Sequence, residues 1–389
     1  MHLQDRIPKA LLRPFAIIYG WITRLRNWLY DRKIAPSRSF DLPIIGIGNL
    51  SAGGTGKTPL AEYVLKTLSE KGITPALLSR GYKRKTTGFQ IVKPHSSAEY
   101  VGDEPYQIKK KFPELVIAVC EDRVIGIEKL KEIAPHTDVI VLDDSFQHRR
   151  LQTGLTILLT DYNMPFYEDT MLPAGTLRES TEGRKRADII IMTKCPAYPS
   201  IDERRMLQTK MKPFDHQALY YTSFTYTSIV DAEVEDTVQE HHPVDYLKGY
   251  TVTLFTGIAN PGSMYDFLNG LCKKVTPIRF PDHHDYTDKD VHKIIETYEA
   301  LPEHNKLLLT TEKDWRRLQG TPQADKLAQY PLFFMPVSVL FDPIEKFSFE
   351  KKIISYVKKN KRNRRVYTKA GDFQPRDGDN IGDGAGRAG

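Results

Sequence analysis

Between residues 44 and 72 the chain passes from an apolar run, IIGIG, through the turn NLSAGGTGKT into a helical pattern, PLAEYVLKTLSEKG. Strand, glycine-rich turn and helix in that order constrain the fold more than any other feature of the sequence. Backbone NH groups of such a turn converge at the positive end of the helix and can cradle phosphate oxygens. Gly53, Gly54, Thr55 and Gly56 form the expected cradle. Lys57 is placed to reach the β and γ phosphates of a nucleotide, and the Thr58 hydroxyl to ligate Mg2+. The common spelling G-x-x-x-x-G-K-[ST] has a glycine where this chain has Ser51, but Gly53, Gly54 and Gly56 supply the tight turn. A chance glycine-rich turn is the alternative. Ala52 stands where partitioning ATPases carry the signature lysine of KGGxGKT, which sets that relative aside.

Short apolar runs bounded by turn residues follow: PALLS (75–79), LVIAV (115–119), DVIVLDD (138–144), LTILLTD (155–161) and DIIIMTK (188–194). Their unbroken hydrophobicity predicts parallel strands covered on both faces. The helical stretches between them predict a doubly wound, mostly parallel α/β sheet of the P-loop NTPase type. Asp143 and Asp144 end one such strand, where ligands collect in open sheets. They are candidates to hold Mg2+, directly or through water, or else to cap the following turn. TVTLFTGI (251–258), KLLLTT (306–311) and PLFFMPV (331–337) predict a second, smaller α/β domain. The expected division is an amphipathic helix over 1–36, a phosphate-loop domain over 37–219, a connector over 220–249, a C-terminal α/β domain over 250–360 and a disordered tail over 361–389.

In the first thirty residues Ile7, Leu11, Phe15, Ile18, Ile22, Leu25 and Leu29 recur every three or four positions, which places them on one stripe of a helix. Arg6, Lys9, Arg13, Arg24 and Lys33 fall opposite, and Trp21 and Trp28 flank the stripe. Two readings fit: a surface helix packed on the protein's own core, or a helix lying in a membrane interface with basic residues toward anionic headgroups. The net charge of +7 favours anionic partners. Three scattered cysteines suit a reducing cytoplasm and give neither a disulfide framework nor a CxxC metal site. No uncharged run is long enough to span a bilayer, and no signal-peptide cleavage pattern is expected.

LDDSFQHRR (142–150) closely resembles the LDDGFQHR signature of the tetraacyldisaccharide 4'-kinases, which phosphorylate a membrane-embedded acylated glucosamine disaccharide. LLSRGYKRK (77–85), VGDEP (101–105), PAGTLRE (173–179), FPDHHDYT (280–287) and TTEKDWRRL (310–318) are similar to other stretches of that family, in the same order. The resemblance implies an ATP- and Mg2+-dependent kinase, peripheral on the cytoplasmic face of the inner membrane of a Gram-negative bacterium. Its partners would be the acylated disaccharide and the anionic membrane surface, with no nucleic acid and no obligatory protein. It makes Asp103 the candidate base and His283 the group that orients or polarises it, with Lys57 on the transferring phosphate. Arg178 and Glu179 would lie on the nucleotide side, and His148 and Arg149 near the metal or substrate. Arg80 and Tyr82 would meet the sugar or its 1-phosphate, or belong to a solvated loop. Thr193, Lys194 and residues 312–314 would approach the adenine or form a core edge. Ser145 replaces the family's glycine, which predicts strain if that turn needs a positive φ. His283 and His284 could also join His241 and His242 around a metal, without supporting cysteine or carboxylate spacing.

Two other classes compete. A nucleotide switch of the GTPase type needs an [NT]KxD guanine-reading element, and the chain has only TKCP (193–196) and TEKD (311–314). A nucleic-acid ATPase fits the charge but leaves the amphipathic N-terminus without a purpose.

Overall fold

The computed structural model describes residues 9–196, 198–232, 240–258, 260–282 and 284–369. The apolar runs assemble into a nine-stranded sheet. From edge to edge its strands are Ser338–Phe341, Ala218–Thr225, Ile189–Thr193, Leu155–Asp161, Ile44–Asn49, Val139–Leu142, Pro75–Ser79, Val116–Val119 and Gln90–Ile91. Neighbours are parallel except in the outermost pair at each edge. Helix Lys57–Glu70 covers one face with Leu60, Val64, Leu65 and Leu68, and helix Arg123–Ile133 covers the other with Val124, Ile127 and Leu130. Each such side chain contributes about 1.5–3 kcal/mol on burial. This is the doubly wound architecture that the continuous apolar strands require.

A second sheet of six strands runs in the order His241–Pro243, Ser228–Asp231, Leu332–Met335, Lys306–Thr311, Thr251–Thr256, Lys274–Arg279. Trp315, Phe255 and Phe334 fill the core on one of its faces.

The two sheets share the chain differently from the expected division. Residues 220–225, assigned to a connector, lie in a strand buried between two neighbours of the first sheet, and Ser228–Asp231 is an inner strand of the second. Hydroxyl and aromatic residues can occupy such a strand because their polar atoms find partners there: Tyr220 Oη meets Ser348 Oγ at 3.1 Å, and Thr222 Oγ1 donates to the Met192 carbonyl at 3.4 Å. Residues 338–360, assigned to the C-terminal domain, return to the first sheet. Strand Ser338–Phe341 pairs with Ala218–Thr225, and Phe349, Ile353 and Val357 of helix Pro343–Lys369 are buried beside Leu60 and Val64. Tyr356 closes the return, its hydroxyl bonding both the NH and the carbonyl of Ile44 at 3.1 Å. That helix continues past residue 361, where a tail was expected; residues 370–389 lie outside the described residues.

Helix Lys9–Asp31 passes through Pro14 and docks by its small and polar side. Ala16 and Thr23 are buried, Tyr19 Oη donates to the Arg178 carbonyl at 2.9 Å, Asn27 Nδ2 donates to Glu179 at 2.8 Å, and Asp31 accepts from Arg149 at 2.8 Å. The apolar stripe therefore points away: Leu11, Phe15, Ile18, Ile22 and Leu25 are each more than half exposed. The reading in which this stripe packs on the protein's own core fails. Ile7 and Arg6 lie outside the described residues. Among the described residues no helix is long and apolar enough to cross a membrane.

Candidate active site

The glycine-rich turn closes on the start of helix Lys57–Glu70. Gly56 adopts φ 86° just before Lys57, and a Cβ there would stand 2.5 Å from the Phe224 ring, so the position needs glycine twice over. Gly53 and Gly54 face open space. Asn49, at the end of the preceding strand, organises the loop: its Nδ2 donates to Thr55 Oγ1 at 2.8 Å, and its Oδ1 accepts from Arg178 and, at 3.5 Å, from Lys57. The loop is held from outside by Arg178 NH to the Leu50 carbonyl and Ala52 NH to the Thr176 carbonyl, both 2.7 Å. Thr193, expected near the adenine, instead donates to the Thr55 carbonyl at 2.8 Å.

The acidic pair sits against this loop. Asp144 lies 3.6 Å from Lys57 and takes two hydrogen bonds from Arg178, at 2.9 and 3.1 Å. Burial alone would raise its pKa, but Lys57 and Arg178 outweigh it and hold the carboxyl far below the usual range. Asp143 is opposite in character. It is fully buried, neither carboxylate oxygen has a hydrogen-bond partner among the described residues, and burial together with the charge of Glu104 pushes its pKa up to about 7. Arg123, buried beneath, donates to the carbonyls of both aspartates at 3.2 Å. The positive φ expected at Ser145 falls one residue earlier, on Asp144 at 48°, a conformation that aspartate tolerates better than most. Ser145 NH donates to the Ile47 carbonyl at 3.0 Å.

Asp103 begins helix Asp103–Lys111 after Gly102, whose φ is 95°. A Cβ on Gly102 would lie 3.1 Å from Gly81 Cα, so the loops carrying Asp103 and the pair Arg80 and Tyr82 touch backbone to backbone. Tyr82 is exposed, and the charge of Arg80 reaches Arg123 and His148. Arg317 of helix Glu312–Leu318 crosses from the second sheet to Asp103 Oδ2, at 2.8 Å through Nη2 and 3.2 Å through Nε. Because neighbouring Glu104 acts on Asp143 and Lys57 acts on both aspartates, the Asp103 helix, the acidic pair and the glycine loop share one electrostatic neighbourhood.

Other expected residues have different surroundings. Glu179, assigned to the nucleotide, is fully buried among Arg186 at 2.9 Å, Gln147 at 3.1 Å and Asn27 at 2.8 Å, where it anchors the N-terminal helix. His148 is pushed down to about 4 by burial and nearby Arg123, so it is neutral; Arg149 pairs with Asp31. Lys194 pairs with Asp161 at 2.6 Å, and buried Asp314 accepts from Gly257 NH at 2.9 Å, which leaves neither TKCP nor TEKD presenting a guanine reader. Glu312 lies 3.3 Å from Lys111, at the junction of the two sheets. His283 lies outside the described residues; His284 meets Asp290 at 3.0 Å and His242 meets Asp231 at 3.2 Å. Asn49, Glu104, Arg123 and Arg317 were not singled out from the sequence. Asn49, Glu104 and Arg317 each stand inside a quoted motif, which is a signal for them; Arg123 gives no local signal.

A family model described as tetraacyldisaccharide-1-P 4'-kinase matches residues 8–357. The chain belongs to that family. Tetraacyldisaccharide 4'-kinases of Phocaeicola vulgatus and Flavobacterium psychrophilum are 41% and 42% identical to it, covering 90% and 91% of this chain and 96% and 98% of their own lengths. A crystal structure of LpxK from Aquifex aeolicus in complex with ATP is 31% identical and matches with a TM-score of 0.69, over 90% of this chain and 99% of its own. In this family member the glycine loop, the paired carboxylates and Asp103 are the residues a phosphoryl transfer onto a hydroxyl calls for.

Proposed function

We propose that this kinase transfers the γ-phosphate of ATP to the 4'-hydroxyl of tetraacyldisaccharide 1-phosphate, giving lipid IVA, with Asp103 as the base. The observation that carries the site assignment is the grouping of Lys57, Asp144 and Arg178 at the mouth of a glycine loop, beside a buried Asp143 that no protein group satisfies. A carboxyl in that position keeps its proton near neutrality, and a divalent cation is the partner its orphaned oxygens suit. Asp143 and Thr58 are the residues that would hold Mg2+, which neutralises charge on the transferring phosphate. Lys57 and the loop amides bind and orient the triphosphate. Arg178 keeps Asp144 ionised and ties the loop to the docked N-terminal helix. Asp103 accepts the proton of the sugar hydroxyl, which is released late in a loose transfer, so an ordinary carboxylate suffices. His283 is the proposed partner of that carboxylate, and Arg80 and Tyr82, on the loop touching Gly102, are placed to meet the sugar or its phosphate. Incubation with ATP and a synthetic acylated disaccharide 1-phosphate should give a lipid heavier by one phosphate; ATP turnover indifferent to this lipid would overturn the reading.

The outward stripe of the N-terminal helix supports peripheral attachment at the anionic cytoplasmic face of the inner membrane, where the acylated substrate resides. Removing the whole helix would also disturb Arg178 and Glu179. Charging only its outer side, with Phe15→Asp, Ile18→Asp and Ile22→Asp together, should weaken binding to anionic vesicles at least about tenfold while folding is kept. Unchanged vesicle binding would show that another surface makes the contact.

A further inference from the structure

The two adjacent arginines of helix Glu312–Leu318 have separate fates. Arg316 lies 3.7 Å from Glu312 and 5.0 Å above the Phe334 ring. Arg317, about 100° further round the helix, leaves the second sheet's body and reaches Asp103. Its remaining arm is fixed behind it: Nη1 donates to Asp314 Oδ1 and to the His284 carbonyl, both at 3.3 Å. Asp314 is itself immobilised by the Gly257 NH at 2.9 Å and Thr311 Oγ1 at 2.6 Å. We propose that Arg317 is a positioning residue for phosphoryl transfer, reaching from the second sheet's body to hold the Asp103 carboxylate oriented. The inference rests on the reading of Asp103 as base.

Three features distinguish this contact from an incidental surface pair. Arg317 is largely buried, so its pairing is little screened. Both Nη2 and Nε converge on a single oxygen, Oδ2, so a planar, rigid pair of donors fixes where that oxygen sits. The helix carrying Asp103 is also gripped further along the same face. Asp103, Gln107 and Lys111 follow at intervals of four, and Gln107 and Lys111 donate to Glu62 of the phosphate-loop helix at 2.8 and 2.6 Å. They also reach Glu312 of the Arg317 helix, at 3.5 and 3.3 Å. The base helix is thereby registered against the triphosphate cradle on one side and Arg317 on the other. Since a displacement of about 1 Å at a reacting group can cost about a hundredfold in rate, this registration bears on the chemical step.

The test is a double-mutant cycle on the full chain, with kcat, both KM values and thermal unfolding measured for Arg317→Ala, Arg317→Lys, Asp103→Asn and the combinations. Arg317→Ala should lower kcat about 10–100-fold with both KM values within about threefold, and Arg317→Lys should recover part of that loss. In the Asp103→Asn background the same replacement should change the residual rate less than about twofold, since its effect passes through a carboxylate no longer present. An undiminished Arg317→Ala effect in that background would overturn the inference and mean that Arg317 acts on the phosphate or on the fold. Normal kcat in Arg317→Ala would overturn it as well. If the alanine variant does not fold, Arg317→Lys and Arg317→Gln complete the cycle. Full turnover by Asp103→Asn alone would instead remove the base assignment, a result distinct from the failure of Arg317.

Discussion

Asp103→Asn is expected to lower kcat about 10²–10⁴-fold, the range that a general base supplies, while ATP affinity changes less than about twofold. The two effects separate because the triphosphate cradle is built by the 51–58 loop, Asn49 and Arg178, which hydrogen-bond with one another. Asparagine is the informative replacement. Alanine would take away one of the two carboxylates beside the buried Arg317 guanidinium, leaving it Asp314 alone, and confuse lost chemistry with lost packing. Single-turnover transfer to lipid and equilibrium ATP binding are the two measurements. Retention of wild-type transfer would end Asp103's candidacy as base.

Asp143→Asn should be nearly as damaging to transfer, about 10²–10³-fold, but should leave a different mark on the free protein. The wild-type carboxyl is buried, both oxygens lack a partner among the described residues and its pKa is pushed up to about 7 by burial and Glu104, a desolvation cost that a cation would relieve. Added Mg2+ should therefore raise the thermal midpoint of the wild type and not that of Asp143→Asn, in the absence of any substrate. Equal stabilisation of both proteins would show that Asp143 is not where the cation binds.

What the sequence disclosed and what it withheld follow from the range of the interactions. The strand over 44–48, the turn over 48–58 and the helix after it were legible because each is specified by contiguous residues: buried alternatives for IIGIG are few, and Gly56 occupies a left-handed position. Asp143 and Asp144 were legible as a pair, but their opposite electrostatic fates depend on Lys57, Arg178 and Glu104, which come from three other segments. The strand Ala218–Thr225 was hidden because its hydroxyls are satisfied by partners distant in sequence, Met192 and Ser348 among them. The N-terminal helix shows another limit. Its periodicity was plain, yet the side that docks is the one carrying Ala16, Gly20, Thr23 and Asn27, and no local pattern announces that. Arg316 and Arg317 are indistinguishable by type and adjacent in order; only the turn of the helix divides a core residue from one that spans the cleft.

The second sheet departs from the first after Thr225 and rejoins it at Ser338, and these two residues face one another as an antiparallel pair. The second sheet is thus joined to the first through one such ribbon, its exit beside its entrance, and by the ion pairs of Arg317 with Asp103 and Lys111 with Glu312. The same ribbon carries Phe224, whose ring lies against Gly56. The root of the second sheet is therefore in touch with the glycine loop through Phe224, and its far side with Asp103 through Arg317.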